Sequence, residues 1–399
     1  MSPGDTNKLT SLIDDAAVDL VLEMIAVPGK SGEEAAIAQL IVDKLHEAGI
    51  DESQISFDEA HTQSHLTGQN GNLIVDLPGN LDQPRRLLMA HIDTVPLCVG
   101  AQPVREDNII RSADSTTALG GDNRAGAAVV LNTIRLIQQH NLPHPPLTVL
   151  FAIQEEVGLI GARYVDQAKL RDPELGFNWD GGRPEIAVIG ATGDDHIEIE
   201  VHGIASHAGA HPEHGVSAAI IAARAIQSLA ADGWLGLIEK GKQSGTSNIG
   251  IIQGGAATNV VMDHLRISAE ARSHNPEFRS KIVKTIQRAF EQSAKETMNT
   301  DGKSGRVKFT TRHKYESFQL DPNAEVVKIA ERAVESIGLT PETRISNGGL
   351  DANWMNAHGL PTITLGCGQS EIHTVKEQLF VDQFLNACRI GLTIGTATV

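Results

Sequence analysis

The feature that most constrains the fold is an alternation of short apolar runs with longer helical stretches such as RAGAAVVLNTIRLIQQH. The runs are NLIVDLPG, RRLLMAHID, LTVLFAIQEE, EIAVIGATG and PTITLGCG. A strand that is apolar along its whole length must be covered on both faces, and helices between successive strands supply that cover. The pattern therefore predicts an α/β fold with a mostly parallel sheet flanked by helices.

One predicted helix carries start and stop signals of its own. Ser31 is followed three residues later by Glu34, which is the spacing of a capping box. Gly49 stands just past the predicted end of the helix. The apolar residues between these signals fall on one helical face, and they are Ile37, Leu40, Ile41 and Leu45.

Length and charge narrow the possible partners. At 399 residues the chain is longer than one core usually supports, so two domains are expected. The net charge of −17 disfavours nucleic acid and anionic membrane surfaces as partners, but it is compatible with cations. No segment is apolar enough to span a membrane, and the opening MSPGDTNKLTSLIDD lacks a basic segment followed by an apolar one. We therefore expect a cytoplasmic protein.

From Asp194 onward, the continuous apolar runs give way to alternation of apolar and polar residues. The segment DHIEIEVHG alternates apolar and polar residues, as expected for a strand with one face exposed to water. A helix, two strands, a long helix from Pro276 and a last strand follow, which is the βαββαβ order of a ferredoxin-like α+β domain. We therefore expect a discontinuous large domain, residues 1–194 and 318–399, with a smaller domain, residues 195–317, inserted in it.

Polar side chains stand where several predicted strands end. In LLMAHIDTVP, His91 and Asp93 directly follow a run of apolar residues. The carboxyl ends of parallel strands meet at one edge of a sheet, which is where ligand sites form. Two histidines and several carboxylates are therefore expected at one rim. The other polar residues at such boundaries are Gln154, Glu155, Glu156, Asp180 of NWDGG, Asp122 of GGDNRAG and His373 of GQSEIHTVKE.

This rim requires a positive charge, because packed carboxylates repel one another and raise one another's pKa. A divalent cation, or a pair of them, would relieve the repulsion, and imidazole with carboxylate ligands suits zinc, manganese or cobalt. Cys98, Cys367 and Cys388 are too few and too scattered for a thiolate site. The spacing of His91 and Asp93 also fits a pair in which the aspartate orients a ligand histidine through its other ring nitrogen.

Each of these segments also has an ordinary explanation. The chain has 16 histidines, and a single histidine near a strand end is more often a hydrogen-bonded surface residue than a ligand. The pair Glu155 and Glu156 could begin a solvated helix, and Asp122 could simply cap a helix in a turn. The occurrence of five such segments in order, each at a plausible strand or helix boundary, favours the metal site.

These residues lie in motifs that resemble one known family. The motifs are MAHIDTVP, GGDNRAG, EEVGLIGA, NWDGG, IASHAGAHPEHG, NGGLDANWMNAHGLP and GCGQSEIHTVKE. Together they resemble the M20 family of dinuclear zinc metallopeptidases and deacylases, and most closely its peptidase T-like branch, over residues 18–395. The resemblance implies a metal-dependent hydrolase with a catalytic metal-binding domain and an inserted lid and dimerisation domain.

The resemblance implies a pair of Zn²⁺ ions, for which Mn²⁺ or Co²⁺ could substitute. Asp122 would bridge the two ions. His91 and Asp180 would complete the ligands of one ion. Glu156 and His373 would complete those of the other.

It also implies the residues that act on the reacting water. Asp93 would hold His91 in its tautomer, and Glu155 would be the general base that activates a water between the metals. The bond from Asp122 to Asn123 is typically a cis peptide in the family. Asn123 departs from many relatives, which carry a second aspartate there.

The lid is expected to contribute to substrate binding. His207 of ASHAG would donate to the developing oxyanion, commonly from the lid of a partner subunit, so a homodimer is possible. Asn259 and Arg272 match lid positions that contact the substrate, and the fork of an arginine suits a carboxylate. The alternative for these three residues is an ordinary polar sheet face. The apolar helix at 217–231 could serve a dimer interface or the core of the lid.

Three functions remain open. The Asp of NWDGG resembles the aminopeptidase members, which favours release of the N-terminal residue from di- and tripeptides. The second function is an amidohydrolase of N-acyl amino acids, and the third is a catalytically silent metal-binding scaffold, against which the intact Glu155 argues. The sequence leaves open the metal used in the cell, the preferred side chains and the oligomeric state.

Overall fold

The computed structural model describes Leu9 and residues 11–396. The expectation about the N-terminal stretch concerns residues that lie largely outside this range. Two compact units are distinguished: Met1–Gly190 with Gln319–Ser346 and Leu350–Val399, and Ala191–Phe318 with Asn347–Gly349. The sequence alone does not separate Asn347–Gly349 from the large domain. Among the described residues, no helix combines the length and the apolar character needed to cross a membrane.

The helices and strands follow the predicted alternation closely. The helices are α1 (Asp15–Ala26), α2 (Ala35–Glu47), α3 (Gly121–Gln139), α4 (Ile160–Arg163), α5 (Ala218–Ala231), α6 (Pro276–Glu296), α7 (Glu325–Ser336), α8 (Asp351–Ala357) and α9 (Val381–Thr396). The strands are β1 (Ile55–Phe57), β2 (Leu73–Leu77), β3 (Arg86–His91), β4 (Pro103–Glu106), β5 (Ile109–Ser112), β6 (Leu147–Ala152), β7 (Leu175–Trp179), β8 (Ile186–Ala191), β9 (Gly193–His202), β10 (Gly236–Lys240), β11 (Gln243–Gly254), β12 (His264–Ser273), β13 (Arg306–Tyr315), β14 (Phe318–Gln319), β15 (Glu342–Ser346), β16 (Thr362–Leu365), β17 (Gln369–Ser370) and β18 (Gln378–Phe380).

The first unit is built on a sheet with the strand order β1-β2-β6-β3-β7-β16-β8-β14, and β15 pairs with β8. The central strands β6, β3, β7 and β16 run parallel. On either side, β2 and β8 run antiparallel to their neighbours. The predicted α/β class is confirmed, and the sheet is mixed because a continuous apolar run reports burial on both faces but not the direction of pairing.

Parallel pairing brings the ends of the central strands to one edge. In register, His91 at the end of β3 lies beside Ala152 at the end of β6, and Leu365 of β16 lies beside Trp179 of β7. The side chains of β3 and β6 are buried along their whole length, as the apolar runs predict. Polar residues that follow these strands are therefore placed close together.

The predicted capping box at Ser31 is wrong. Helix α2 begins at Ala35, and its N-cap residue Glu34 makes no side-chain capping bond. The Ser31 hydroxyl instead donates to Asp93 Oδ2 at 2.6 Å, and Glu34 Oε1 accepts from the Gly32 amide at 2.8 Å. The Ser31 hydroxyl bonds to Asp93 instead of capping the helix, because a hydrogen bond to a buried carboxylate is stronger than one to a helix amide.

The second unit has an antiparallel sheet in the order β10-β11-β12-β9-β13. Without β10, this is the predicted ferredoxin-like arrangement, in which the first and third strands lie in the centre. The apolar face of β9 is fully buried, and α6 packs a stripe with a four-residue repeat into the same core. The residues of that stripe are Phe278, Ile282, Ile286 and Phe290.

Candidate metal centre

Asp122 lies between two groups of possible metal ligands. Its Oδ1 is 3.4 Å from His91 Nε2, and the same nitrogen is 3.9 Å from Asp180 Oδ1. Its Oδ2 is 3.2 Å from His373 Nε2, which is 2.9 Å from Glu156 Oε1. Each carboxylate oxygen of Asp122 therefore faces its own histidine and its own second carboxylate.

These separations suit metal ions. A tetrahedral ion with bonds of about 2.1 Å holds its ligand atoms about 3.4 Å apart. The spacings between 2.9 and 3.9 Å around His91 and His373 lie close to that value. The donors are imidazole nitrogens and carboxylate oxygens, the set that zinc, manganese and cobalt accept. The residues present thus fit two ions that share Asp122.

Asp93 ties the ligands together. Its Oδ1 is 3.2 Å from His91 Nδ1 and accepts from the Glu155 amide at 2.9 Å. Its Oδ2 accepts from the Ser31 hydroxyl at 2.6 Å and from the Glu156 amide at 3.3 Å. With Nδ1 of His91 facing Asp93, Nε2 is left for a metal.

Burial and mutual repulsion shape the ionisation of the centre. Burial raises the pKa of Glu155 well above its usual range, and burial together with Asp122 raises the pKa of Asp180 to about 7. Burial also acts on Asp122, but hydrogen bonds from His373 and His91 hold its pKa below its usual range. Bonds to Asp122 and Glu156 raise the pKa of His373 to about 10. Divalent cations can supply the positive charge that protons otherwise provide here.

The backbone at the start of α3 is irregular, and Glu377 binds its amides in place of Asp122. The backbone is not helical at Asp122 and Asn123, and the peptide bond between them is cis, which confirms the expectation. The buried carboxylate of Glu377 accepts from the Gly120 amide at 2.8 Å and from the Asp122 amide at 2.9 Å. Glu377 thus satisfies two amides at the start of the helix, and the Asp122 side chain faces His91 and His373.

Asn123 has a role that an aspartate cannot fill in the same way. Its Nδ2 donates to the Trp179 carbonyl at 2.6 Å, and its Oδ1 accepts from the Gly126 amide at 3.0 Å. An ionised aspartate has no proton for the Trp179 carbonyl. Asn123 thus links α3 to the end of β7, one residue before Asp180.

Sequence reasoning missed several buried polar residues around the centre. Neither carboxylate oxygen of Asp351 has a hydrogen-bond partner among the described residues, and burial raises its pKa to about 8. Burial and the charge of Asp93 raise the pKa of Glu34 to about 7. Asp351 lies in NGGLDANWMNAHGLP and Glu377 in GCGQSEIHTVKE, and membership of these family-like motifs was the sequence signal for both residues. Ser31 and Glu34 were hidden by their resemblance to a capping box.

The predicted lid residues belong to the second unit. His207 Nδ1 accepts from the Gly209 amide at 3.2 Å and from the Ala210 amide at 3.0 Å. Backbone amides can only donate, so the neutral ring carries its proton on Nε2, which makes Nε2 a donor. The Asn259 carbonyl accepts from the Ala208 amide at 2.9 Å, and this bond brings Asn259 beside His207.

Arg272 lies at the other end of the same sheet. In the register of β12 with β9, His264 pairs with His202 near the His207 segment, whereas Arg272 pairs with Asp194. The two ends of that ladder are roughly 27 Å apart at the rise of a strand. Arg272 Nη2 donates to Glu270 Oε2 at 3.0 Å. One copy of the second unit therefore does not bring His207 and Arg272 together.

Known proteins resemble this chain along nearly its whole length. The family model described as Peptidase family M20/M25/M40 matches residues 87–394. An uncharacterized protein YqjE from Bacillus subtilis is 31% identical over 375 residues, which cover 94% of this chain and 95% of the relative.

Two solved structures are similar in both sequence and fold. A tripeptidase from Staphylococcus aureus is 32% identical, with a TM-score of 0.87 over 96% of this chain and 98% of the other. An aminopeptidase PepT from Bacillus cereus is 34% identical, with a TM-score of 0.84 and the same coverage of both chains.

Proposed function

This chain belongs to peptidase family M20/M25/M40, and from that premise we propose that it is a dinuclear zinc aminopeptidase acting on di- and tripeptides. Peptide hydrolysis is the activity that the family and the two peptidase structures support. The observation that carries the dinuclear part of the proposal is the position of Asp122, whose two oxygens face separate sets of ligand atoms. The names of the two similar structures favour short peptides with a free N-terminus as substrates.

In the proposed mechanism, two bound metal ions would lower the pKa of a water and polarise the scissile carbonyl. His91, Asp180, Glu156 and His373 would hold the ions, with Asp122 between them. Glu155 takes the proton from the attacking water and delivers it to the leaving amine. Without the ions, burial raises the pKa of Glu155, and the two cations would lower it again, so that the carboxylate is ionised when the water attacks.

Asp93 acts through the groups that it binds. Its carboxylate joins the His91 ring to the Glu155 and Glu156 amides, so the ligand on β3 and the loop after β6 are fixed relative to each other. Ser31 holds the outer oxygen of Asp93. Both are positioning residues in this proposal, since neither is expected to touch the substrate.

His207 donates from Nε2 to the oxygen that becomes negative when the carbonyl is attacked. Asn259 contacts the substrate beside His207, and Arg272 binds the substrate carboxylate. The distance between His207 and Arg272 within one sheet favours a homodimer, in which one lid supplies Arg272 and the other supplies His207 and Asn259. Residues 1–194 and 318–399 form the metal-binding catalytic domain in this proposal, and residues 195–317 form the lid and dimerisation domain.

The outer edge of β11 suits such a dimer. Strand β10 pairs only with Gln243–Ser247 of β11, so residues 248–254 have no strand on that side within the described part of the chain. That segment carries no charge, and Ile251 and Ile252 are each about half exposed. An uncharged apolar edge is suited to pairing with a second copy of itself.

A peptide panel combined with metal analysis tests the proposal. Purified protein is assayed on di- and tripeptides with free and with acetylated N-termini, and its metal content is measured after dialysis. We expect two ions per chain and release of the N-terminal residue from the free peptides only. Cleavage of only the blocked compounds would establish the deacylase instead. Metal binding without any hydrolysis would establish a silent scaffold. The cytoplasmic location stays a prediction.

A further inference from the structure

A cavity of about 560 Å³ opens beside Asp180 in the first unit. Its volume lies within the range of small-molecule binding sites. Asp180 and Gln369 line the end of the cavity at the metal centre, and the Gln369 amide is 3.3 Å from both Asp180 and Asp122. One end of the cavity is therefore formed by residues that border the proposed metal centre.

The floor of the cavity is two glycine-rich loops that are bonded to each other. The Cys367 amide donates to the Gly181 carbonyl at 2.8 Å, and the Gly368 amide donates to the Gly182 carbonyl at 2.7 Å. A Cβ at Gly366 would come within 2.2 Å of the Arg183 carbonyl, so glycine is required at this close approach. Gly181, Gly182 and Gly366 place no side chain in the cavity, which leaves space above this part of the floor.

One wall of the cavity is an apolar strand face that is only half-buried. Ala187 and Ile189 of β8 point into the main core. The alternate residues Ile186 and Val188 are half-buried and line the cavity. Val188 lies opposite Thr364 of β16 in register, which extends the same face. Phe380 adds further apolar surface.

Both arginines at the cavity already have carboxylate partners. Arg183 Nε donates to Glu185 Oε1 at 2.8 Å, and Arg344 Nε donates to Glu342 Oε1 at 2.6 Å. Each arginine is thus neutralised by a carboxylate of its own neighbourhood. An apolar group on the wall leaves both pairs intact.

We propose that this cavity is the specificity pocket for a large apolar side chain, such as that of leucine or phenylalanine, on a residue flanking the scissile bond. The inference rests on the proposed function, because the metal centre at one end gives the peptide its position. The pocket takes the side chain against Ile186 and Val188. A peptide with glycine at that position has no side chain to bury in the pocket. The enzyme therefore prefers leucine or phenylalanine by roughly 10- to 100-fold in kcat/KM.

Two series of tripeptides test the pocket, Xaa-Gly-Gly and Gly-Xaa-Gly, with glycine, alanine, leucine or phenylalanine as Xaa. We expect one series to show the preference in the wild type. Val188→Trp fills the cavity and should reduce the leucine-to-glycine ratio of kcat/KM by about 10-fold. Val188→Ser removes apolar wall without a clash, and it should reduce the same ratio by a few fold.

Val99→Trp is the matched control, because Val99 is half exposed and lies outside the lining of this cavity. It should keep the wild-type ratio. The pocket is disproved if neither series shows a preference, or if both Val188 variants keep it. Calorimetric binding of Leu-Gly-Gly, Gly-Leu-Gly and Gly-Gly-Gly to Glu155→Gln protein decides the question independently. If no peptide is hydrolysed, the proposed function fails. The difference in affinity between the leucine-containing peptides and Gly-Gly-Gly then still tests whether the pocket binds an apolar side chain.

Discussion

Both units of this protein gather histidines and carboxylates, but within the part of the chain that the structure describes only the groups of the first unit contain buried members. In the first unit His91, Asp122 and Asp180 are buried, Glu155 and Glu156 are half-buried, and His373 is exposed. In the second unit the gathered residues are half-buried or exposed, and among the described residues they are Glu200, His202 and His264, and His211, Glu213 and His214. The same residue types at similar spacing thus occur at a proposed metal centre and on an ordinary surface.

The difference lies in how each sheet is covered. Strands β3 and β6 of the first unit are buried along their whole length, and His91 at the end of β3 is buried with them. The sheet of the second unit has one wet face, where Lys308 Nζ pairs with Glu200 Oε1 at 2.8 Å. Water and a lysine already neutralise that carboxylate. Burial without a counter-charge, more than residue type, therefore marks a metal centre.

The largest effect expected from this contrast is on turnover. Glu155→Gln keeps the size and polarity of the side chain but cannot accept a proton, so kcat should fall by about 10²- to 10⁴-fold. The metal content should stay at the wild-type value. Glu200→Gln is the matched control from the exposed group and should keep full activity. Peptide hydrolysis measures kcat, and elemental analysis measures the metal content, of the wild type and the two variants. Surviving activity in Glu155→Gln would exclude this residue as the base.

The second effect concerns the homodimer. His207→Ala should lower kcat by about 10²- to 10³-fold, because a donor to the oxyanion is lost. If His207 acts on the partner's centre, mixing this variant with Glu155→Gln should restore up to about a quarter of the wild-type rate, since half of the dimers carry one complete site. Refolded mixtures are compared with each variant alone. No recovery, in mixtures shown to exchange subunits, would place His207 in its own subunit's reaction or outside the reaction.

The third effect is on metal stoichiometry, and it compares one histidine from each unit. His91→Ala should retain one ion per chain after dialysis, because it removes a ligand of one ion and leaves Asp122 and His373 for the other. His202→Ala should retain two. Elemental analysis counts the ions. A loss of metal in His202→Ala would show that the exposed group also binds an ion and would remove the contrast between the units.

The smallest effect expected is on the stability of metal-free protein. The pKa of Asp180 is raised by burial from 3.8 to about 7, and that of Asp351 to about 8, so the folded state holds protons that the unfolded state releases. Stability should therefore fall as the pH rises from about 4 to 8. The raised pKa of His373 acts in the same direction above pH 6.5.

Thermal unfolding of protein treated with a chelator, at pH 5.5 and pH 8, measures this effect. We expect a melting temperature several degrees lower at pH 8 and a smaller difference after zinc is restored. An equal loss with and without zinc would show that the decline arises elsewhere in the molecule.

Much of the fold could be predicted from the sequence because the apolar runs report burial directly. The five runs correspond to β2, β3, β6, β8 and β16, and the alternating segment corresponds to β9. The direction of the outer strands could not be predicted, since parallel and antiparallel strands bury the same side chains. The edge strand β10 was also missed, because its short sequence GLIEK has no marked pattern.

The candidate centre also has residues that could be predicted from the sequence and residues that could not. Residues at strand ends, such as His91 and Glu156, could be located because their polarity interrupts an apolar pattern. Ser31 could not, since the sequence offered a local partner in Glu34, whereas its hydroxyl bonds to Asp93. The cavity beside Asp180 could not be predicted either, because its wall and floor come from segments far apart in the chain.

The sequence by itself determined which stretches become strands, where polar groups interrupt them, and which family the motifs resemble. These properties depend on residues close together in the chain, where spacing and side-chain chemistry act directly. Only the tertiary structure decided which oxygen of Asp122 faces which histidine, that Asp93 joins two loops, and that Arg272 lies far from His207. Those relations depend on the packing of distant segments, and hydrogen bonds between distant groups form only once that packing has fixed their geometry.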